Sequence, residues 1–458
     1  MSIKLRLTIM NFIQFFVWGA WLITIANFWF GTKQWDGTQF GAIFATMGIA
    51  SLFMPTLIGI IADRWINAER LYCTLHILYG LILFYLPQVT DPGSFFYIML
   101  AAMCCYMPTL ALSNSIAYTA LIKNNYDLVR SFPPIRVWGT VGFIAAMWIV
   151  NLSGNKATAN QFYIAGAAAI ALGLYALTLP KNTPQNLIKE KSSWIQTFGL
   201  EAFKLFGNYK MALFFVFSMF LGGALQLTNA YGDVYIDEFK FFPKYTDLLV
   251  VKYSTIIMSI SQISETLFIL AIPFFLKRFG IKKVMLISMV AWVLRFGLFA
   301  YGNPADGLWM IILSCIVYGM AFDFFNISGS LFVETSTNSK IRSSAQGLFM
   351  MMTNGFGAVL GSLISGWVID HYFTMSFADV NHLASFLQTQ VTDGHFLDFI
   401  KEKGTTVLSN GNFEKPIFLK NWHHIWLAFS AYTLIVALLF AVLFKHEHDP
   451  KALESTNH

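Results

Sequence analysis

The chain has 458 residues, 56% of them hydrophobic and only 12% charged, about half the charged share of a soluble domain. That balance excludes a water-facing surface over most of the molecule and makes lipid the main solvent. The formal charge of +6 comes from Lys and Arg standing singly or in small groups at the ends of apolar runs, so it reads as membrane topology rather than nucleic-acid binding. Cys73, Cys104, Cys105 and Cys315 lie in or beside apolar runs without zinc or disulfide spacing, and read as packing residues.

A spanning helix needs roughly 20 mostly apolar residues. Grouping the runs between polar breaks predicts twelve spans in an all-α integral membrane protein: 6–30, 40–62, 71–88, 95–122, 133–152, 161–180, 209–232, 253–276, 283–301, 308–333, 343–371 and 422–444. The first run follows Lys4 and Arg6, is too long for a signal-peptide core and reads as an uncleaved helix. The termini and alternate loops carry 19 Lys and Arg against nine in the other loops, which predicts both termini in the cytoplasm.

After the sixth span the pattern breaks at Pro180-Lys181-Asn182-Thr183-Pro184, and the polar-to-amphipathic stretch that follows holds Trp194, Phe198, Phe203 and Phe206. The predicted organisation is an N-terminal six-helix bundle over 1–180, a cytoplasmic linker over 181–208 and a C-terminal six-helix bundle over 209–458. The linker reads either as an amphipathic helix on the inner membrane surface or as a helix packed on the bundle. A second long break, 372–420, is predicted outside, as a cap or as a variable loop.

The halves echo each other. Gly59-Ile60-Ile61-Ala62-Asp63-Arg64 closes span two, and the basic run Lys277-Arg278-Phe279-Gly280-Ile281-Lys282-Lys283 follows span eight. The first resembles, in shortened form, the Gly-x-x-x-Asp-Arg motif of the major facilitator superfamily, and the second keeps only its basic part. The resemblance implies the facilitator fold and leaves the substrate open.

Ionisable groups deep in a span are expensive and face a cavity or a partner. Glu265 sits near the middle of span eight, Asp323 well inside span ten, Arg136 in the first turn or so of span five and Arg295 in the outer half of span nine. Desolvation disfavours a charged carboxylate, so Glu265 and Asp323 are the candidates for proton coupling, with an ion pair to an arginine as the alternative. Around them stand polar groups at helical spacing: Gln226 and Asn229; Ser261, Gln262 and Glu265; Asp323 and Asn326; and a stripe of Arg136, Thr140 and Phe143. Amides both donate and accept, which suits a solute rich in both functions, although a lone amide more often bonds a neighbouring helix. Phe143 and Phe322 stand beside these groups and are the candidates for stacking on a planar ring. There is no Walker loop and no catalytic constellation, His423-His424 reads as an interfacial anchor, and neither cofactor, metal nor enzymatic activity is expected.

Three strings carry a closer resemblance: Phe132-Pro133-Pro134-Ile135-Arg136-Val137-Trp138-Gly139-Thr140, Ser259-Ile260-Ser261-Gln262-Ile263-Ser264-Glu265-Thr266 and Phe322-Asp323-Phe324-Phe325-Asn326-Ile327-Ser328-Gly329. It continues through Ser344-Ala345-Gln346-Gly347 and Met351-Met352-Thr353-Asn354-Gly355-Phe356-Gly357, and begins at Gln14-Phe15-Phe16-Val17-Trp18-Gly19. These resemble the bacterial nucleoside permeases of the nucleoside:proton symporter family. The resemblance implies import of purine and pyrimidine nucleosides with protons across the inner membrane, by a protein for which a monomer is favoured. It also implies a site lined by Arg136, Thr140, Phe143, Gln226, Asn229, Gln262, Glu265, Phe322 and Asp323. A facilitator for another polar solute such as an oligosaccharide, and a membrane sensor that binds without transport, are the rival readings.

Overall fold

The computed structural model describes residues 2–183, 200–337 and 341–446, and these are predominantly helical. The helices are α1 (Ile3–Gly19), α2 (Gly37–Arg64), α3 (Ala68–Tyr85), α4 (Pro92–Lys123), α5 (Leu128–Leu152), α6 (Asn160–Ala176), α7 (Tyr209–Asp237), α8 (Ser254–Tyr301), α9 (Leu308–Ser336), α10 (Arg342–Met350) and α11 (Ala358–Val368). A turn of π-helix over Met351–Gly357 joins α10 to α11 as one crossing, and α14 (Trp422–Leu443) completes the bundle. Between them lie the short helices α12 (Val380–Phe386) and α13 (Gly394–Glu402). Many starts are set by a carboxylate or amide in the polar break that accepts from a first-turn N–H: Asp36 for α2, Asp91 for α4, Asp127 for α5, Asn208 for α7 and Asn421 for α14.

Helix α8 holds two of the predicted spans. Its 48 residues would reach about 72 Å if straight, more than twice the hydrocarbon thickness. The chain turns back at Gly280, whose φ of 75° lies in the left-handed region that glycine adopts without strain. Arg295 Nη1 then lies 3.4 Å from Ser261 Oγ, 34 residues earlier, so the two limbs, 254–279 and 281–301, run side by side. With both limbs counted, the described residues cross the membrane twelve times.

Three boundaries differ from the sequence reading. The first span is no continuous helix: α1 stops at Gly19, five residues of turn follow (Ala20–Thr24), and the chain resumes helical at Ile25 and passes into a π-helical turn at Asn27–Thr32. Helix α5 starts at Leu128, five residues early, because Asp127 caps it and the helix runs on through Pro133 and Pro134; Arg136 is therefore more than two turns inside rather than near the first. The 372–420 segment is a folded cap. Strand β1 (Thr374–Asp379) pairs antiparallel with β2 (Asn412–Lys420), and with α12 and α13 they enclose their own core of Phe377, Leu383, Phe396, Phe399 and Ile417. In the linker, Trp194 and Phe198 lie outside the described residues, whereas Phe206 packs on Phe215 of α7 and Phe203 is exposed.

Close backbone contacts repeat in both halves. A Cβ at Gly142 of α5 would sit 2.0 Å from the Phe12 carbonyl oxygen of α1, and one at Gly222 of α7 would sit 2.0 Å from that of Thr353 before α11. The first and fifth crossings of each half thus meet at near-backbone distance, where small residues supply the van der Waals contact that drives association in lipid. Between the halves, α2 packs on α11 and α5 on the first limb of α8.

Gly142→Leu is expected to destabilise the folded protein by about 1–3 kcal/mol or more through overpacking, whereas Gly59→Leu is tolerated, because a Cβ there would meet no heavy atom within 4 Å. Thermal stability of the two purified variants in one detergent checks this.

Candidate binding site between the halves

Helix α5 of the first half carries Arg136, Thr140 and Phe143, and helices α7, α8 and α9 of the second carry Gln226 and Asn229, Gln262 and Glu265, and Phe322 and Asp323. Arg136 is the opposite charge acting on Glu265 across the junction, and Glu265 and Asp323 act on each other as like charges. Gly319 of α9 allows this neighbourhood: its Cβ would lie 2.7 Å from the Glu265 backbone nitrogen. Arg136 rests its guanidinium 4.0 Å from the centre of the Phe15 ring on α1.

Three buried acceptors on three helices have no partner among the described residues: Gln226 Oε1, Gln262 Oε1 and Asp323 Oδ2. Leaving such atoms unbonded costs about 1–3 kcal/mol each, so each is an acceptor open to a further donor. Nearby, Phe322 is half-buried and stacks on Tyr318 with centroids 6.1 Å apart and planes 8° apart. Phe322 and Asn326 line a narrow cleft together with Trp292, Leu225, Thr353 and Asn354. Phe143 is not on that cleft; it is buried, with its ring edge-on to Trp18 at 6.4 Å.

Arg295 belongs to the framework. It is fully buried, donates from Nε to Thr228 Oγ1 (3.2 Å) and from Nη1 to the Ser314 carbonyl (2.8 Å), and lies over the Tyr318 ring. In the first half Gln14 has the same function: its Nε2 donates to Thr109 Oγ1 at 2.9 Å, its Oε1 accepts from Tyr72, and its carbonyl accepts from Tyr106.

Sequence reasoning missed a second set of charges. At the C-terminal end of α7, predicted from the sequence to lie outside, Asp237 binds Lys156 of the α5–α6 loop (2.5 Å) and Lys240 (2.9 Å), and one turn earlier Asp233 accepts from Asn27. Lys156 also donates to Ser254 Oγ (2.9 Å), and Trp148 of α5 to Ser259 Oγ (2.9 Å). These contacts tie the first half to the second at one end of the junction. Asp233, Asp237 and Lys156 fall at predicted span edges or in loops, where charge is ordinary; the spacing of Asp233 and Asp237, one turn apart, was the available signal. Trp18, whose indole N–H is buried without a partner beside Phe143 and Tyr106, was quoted within a string but not nominated.

Comparison with known proteins follows this geometry. The model of the family described as nucleoside H+ symporter matches residues 1–449. Xanthosine permease of Escherichia coli is 46% identical over 99% of both chains, and nucleoside permease NupG of the same organism is 44% identical over the full length of both. A crystal structure of nucleoside transporter NupG, a mutant form, superposes with a TM-score of 0.85, covering 97% of this chain and all of that one at 44% identity. A bacterial homologue of the lysosomal transporter Spinster, 12% identical, superposes with a TM-score of 0.66 over 99% of this chain and 97% of its own, a likeness of fold alone.

Asp237→Asn is expected to loosen the outer end of the junction, because removing one member of a buried ion pair leaves its partner's charge uncompensated. Hydrogen–deuterium exchange should rise in residues 154–160 and 249–255 and stay unchanged in α3 and α4. Unchanged exchange at the outer end would remove the tie.

Proposed function

Because the chain belongs to the nucleoside H+ symporter family, we propose that it imports purine and pyrimidine nucleosides with protons across a bacterial inner membrane. The observation that supports this reading is the presence of buried unpartnered acceptors on three successive helices of the second half, α7, α8 and α9, with Asp323 directly following the half-buried Phe322. A nucleoside answers both features: ribose hydroxyls and base N–H groups donate to the amides and carboxylates, and the base stacks on Phe322. Phe143 acts one layer back, holding Trp18 at the edge of the site. Thr140 and Asn229 are assigned to the polar rim.

Transport follows from the charges that cross the junction. An ionised Glu265 attracts Arg136 and draws α5 toward α8, whereas a protonated Glu265 does not. The two protonation states therefore favour different relations between the halves, which is what coupling requires. Asp323 brings a second carboxylate of like charge to act on the same group. The outer ties through Asp233 and Asp237 hold the junction shut at that end, and their release lets the halves rock around the site.

The basic-loop excess places both termini in the cytoplasm and the cap outside. We assign 1–180 and 209–458 to the moving halves and 181–208 to the linker, in a monomer. Uptake of a nucleoside panel by cells lacking other nucleoside carriers, with and without a protonophore, tests the reading, and failure to concentrate any nucleoside would end it.

Three variants separate binding from coupling. Gln262→Ala should weaken nucleoside binding by about 1–3 kcal/mol in a folded protein, read by calorimetry. Glu265→Gln or Asp323→Asn, whichever removes the coupling group, should abolish gradient-driven accumulation and its pH dependence while substrate exchange survives. If both carboxylate variants still concentrate nucleoside with normal pH dependence, coupling does not run through them.

A further inference from the structure

A second cavity, of about 580 Å³, lies between the 30–39 loop and the cap, beyond the outer ties. That volume is in the range of small-molecule sites. Its lining is unusual for a surface crevice. Trp35 presents one part of its indole to the space while Trp29 and Phe95 hold the rest edge-on at 4.6 and 5.5 Å. Phe418, on the outer strand of the cap, is 61% exposed on the same cavity.

Lys403 completes the wall. Its ammonium lies 4.6 Å from the centre of the Phe241 ring, and among the described residues no oxygen is within bonding distance of it. Burial lowers its pKa from the ordinary lysine value, as expected for a cation removed from water. Lys420, by contrast, is paired with Glu238 at 3.1 Å and covers the Phe30 ring. Glu238 directly follows Asp237, so the floor of the cavity is continuous with the outer tie.

We infer that this cavity is an entry subsite that takes a neutral nucleoside from the external medium, the base against Trp35 and Phe418 and a base carbonyl or ribose hydroxyl accepting from Lys403. The assignment rests on the transport reading above. Charge selects the nucleoside over its phosphorylated forms: Asp36, Glu238 and Asp370 outnumber Lys403 and Lys420 in the lining, and a phosphate there meets net repulsion. The subsite is loaded before the halves part, which raises the local concentration of solute at the outer end of the junction.

The test measures initial uptake of uridine and adenosine over a concentration range in wild type, Phe418→Ala and Lys403→Gln. Both variants should raise KM three- to tenfold with the maximal rate retained. In purified protein carrying Gln262→Ala to weaken the central site, saturation-transfer NMR with uridine should keep a signal that is lost when Phe418→Ala is added, and adenosine monophosphate should not displace it. Unchanged KM in both variants, no loss of signal on adding Phe418→Ala, or displacement by the monophosphate would each overturn the subsite. Absence of nucleoside uptake by the wild type would instead remove the transport reading beneath it.

Discussion

A charge inside hydrocarbon must have a partner, and where that partner sits decides what the charge does. Arg295 finds all its bonds on α7, α8 and α9, within one half, and so holds three helices in fixed relation. Arg136 faces Glu265 from the other half, and Lys156 reaches Asp237 across the same divide. Desolvation makes each of these relations consequential, because a separated partner is left bare in a medium that cannot solvate it. Framework and moving parts thus use the same interaction and differ only in whether it spans the junction.

The glycine contacts set the complementary constraint. The α1–α5 and α7–α11 crossings meet at backbone distance, and a packed core resists continuous deformation. Each half therefore behaves as a body, and adjustment concentrates at the junction. The π-helical turn at Met351–Gly357 places Thr353 and Asn354 on the cleft, a use of irregular backbone that recurs at functional sites. Irregular backbone at this depth is permissible because it lines a cavity rather than lipid.

Most of the architecture was legible because lipid demands long apolar runs, whereas the helix starts set by caps such as Asp127 were not read from the sequence, which is why α5 began early. The candidate site residues could be nominated from sequence because an ionisable or amide group in such a run is rare. Asp233, Asp237 and Lys156 were not, since their significance comes from partners over 80 residues away in the chain or, for Asp233, over 200. The fold of the cap was hidden for another reason: its core is built from single apolar residues scattered among polar ones, with no period long enough to announce a helix. Phe143 shows the limit of helical spacing, which grouped it with Arg136 and Thr140 on one stripe but could not foresee its burial against Trp18.

The reversal at Gly280 bears on how the protein is made. A turn that uses one left-handed residue and no loop gives neither limb of α8 slack to enter the membrane ahead of the other. The limbs are therefore expected to insert as a pair, with Lys277, Arg278, Lys282 and Lys283 gathered at the tip. An insertion in that turn would disturb biogenesis before it disturbed transport.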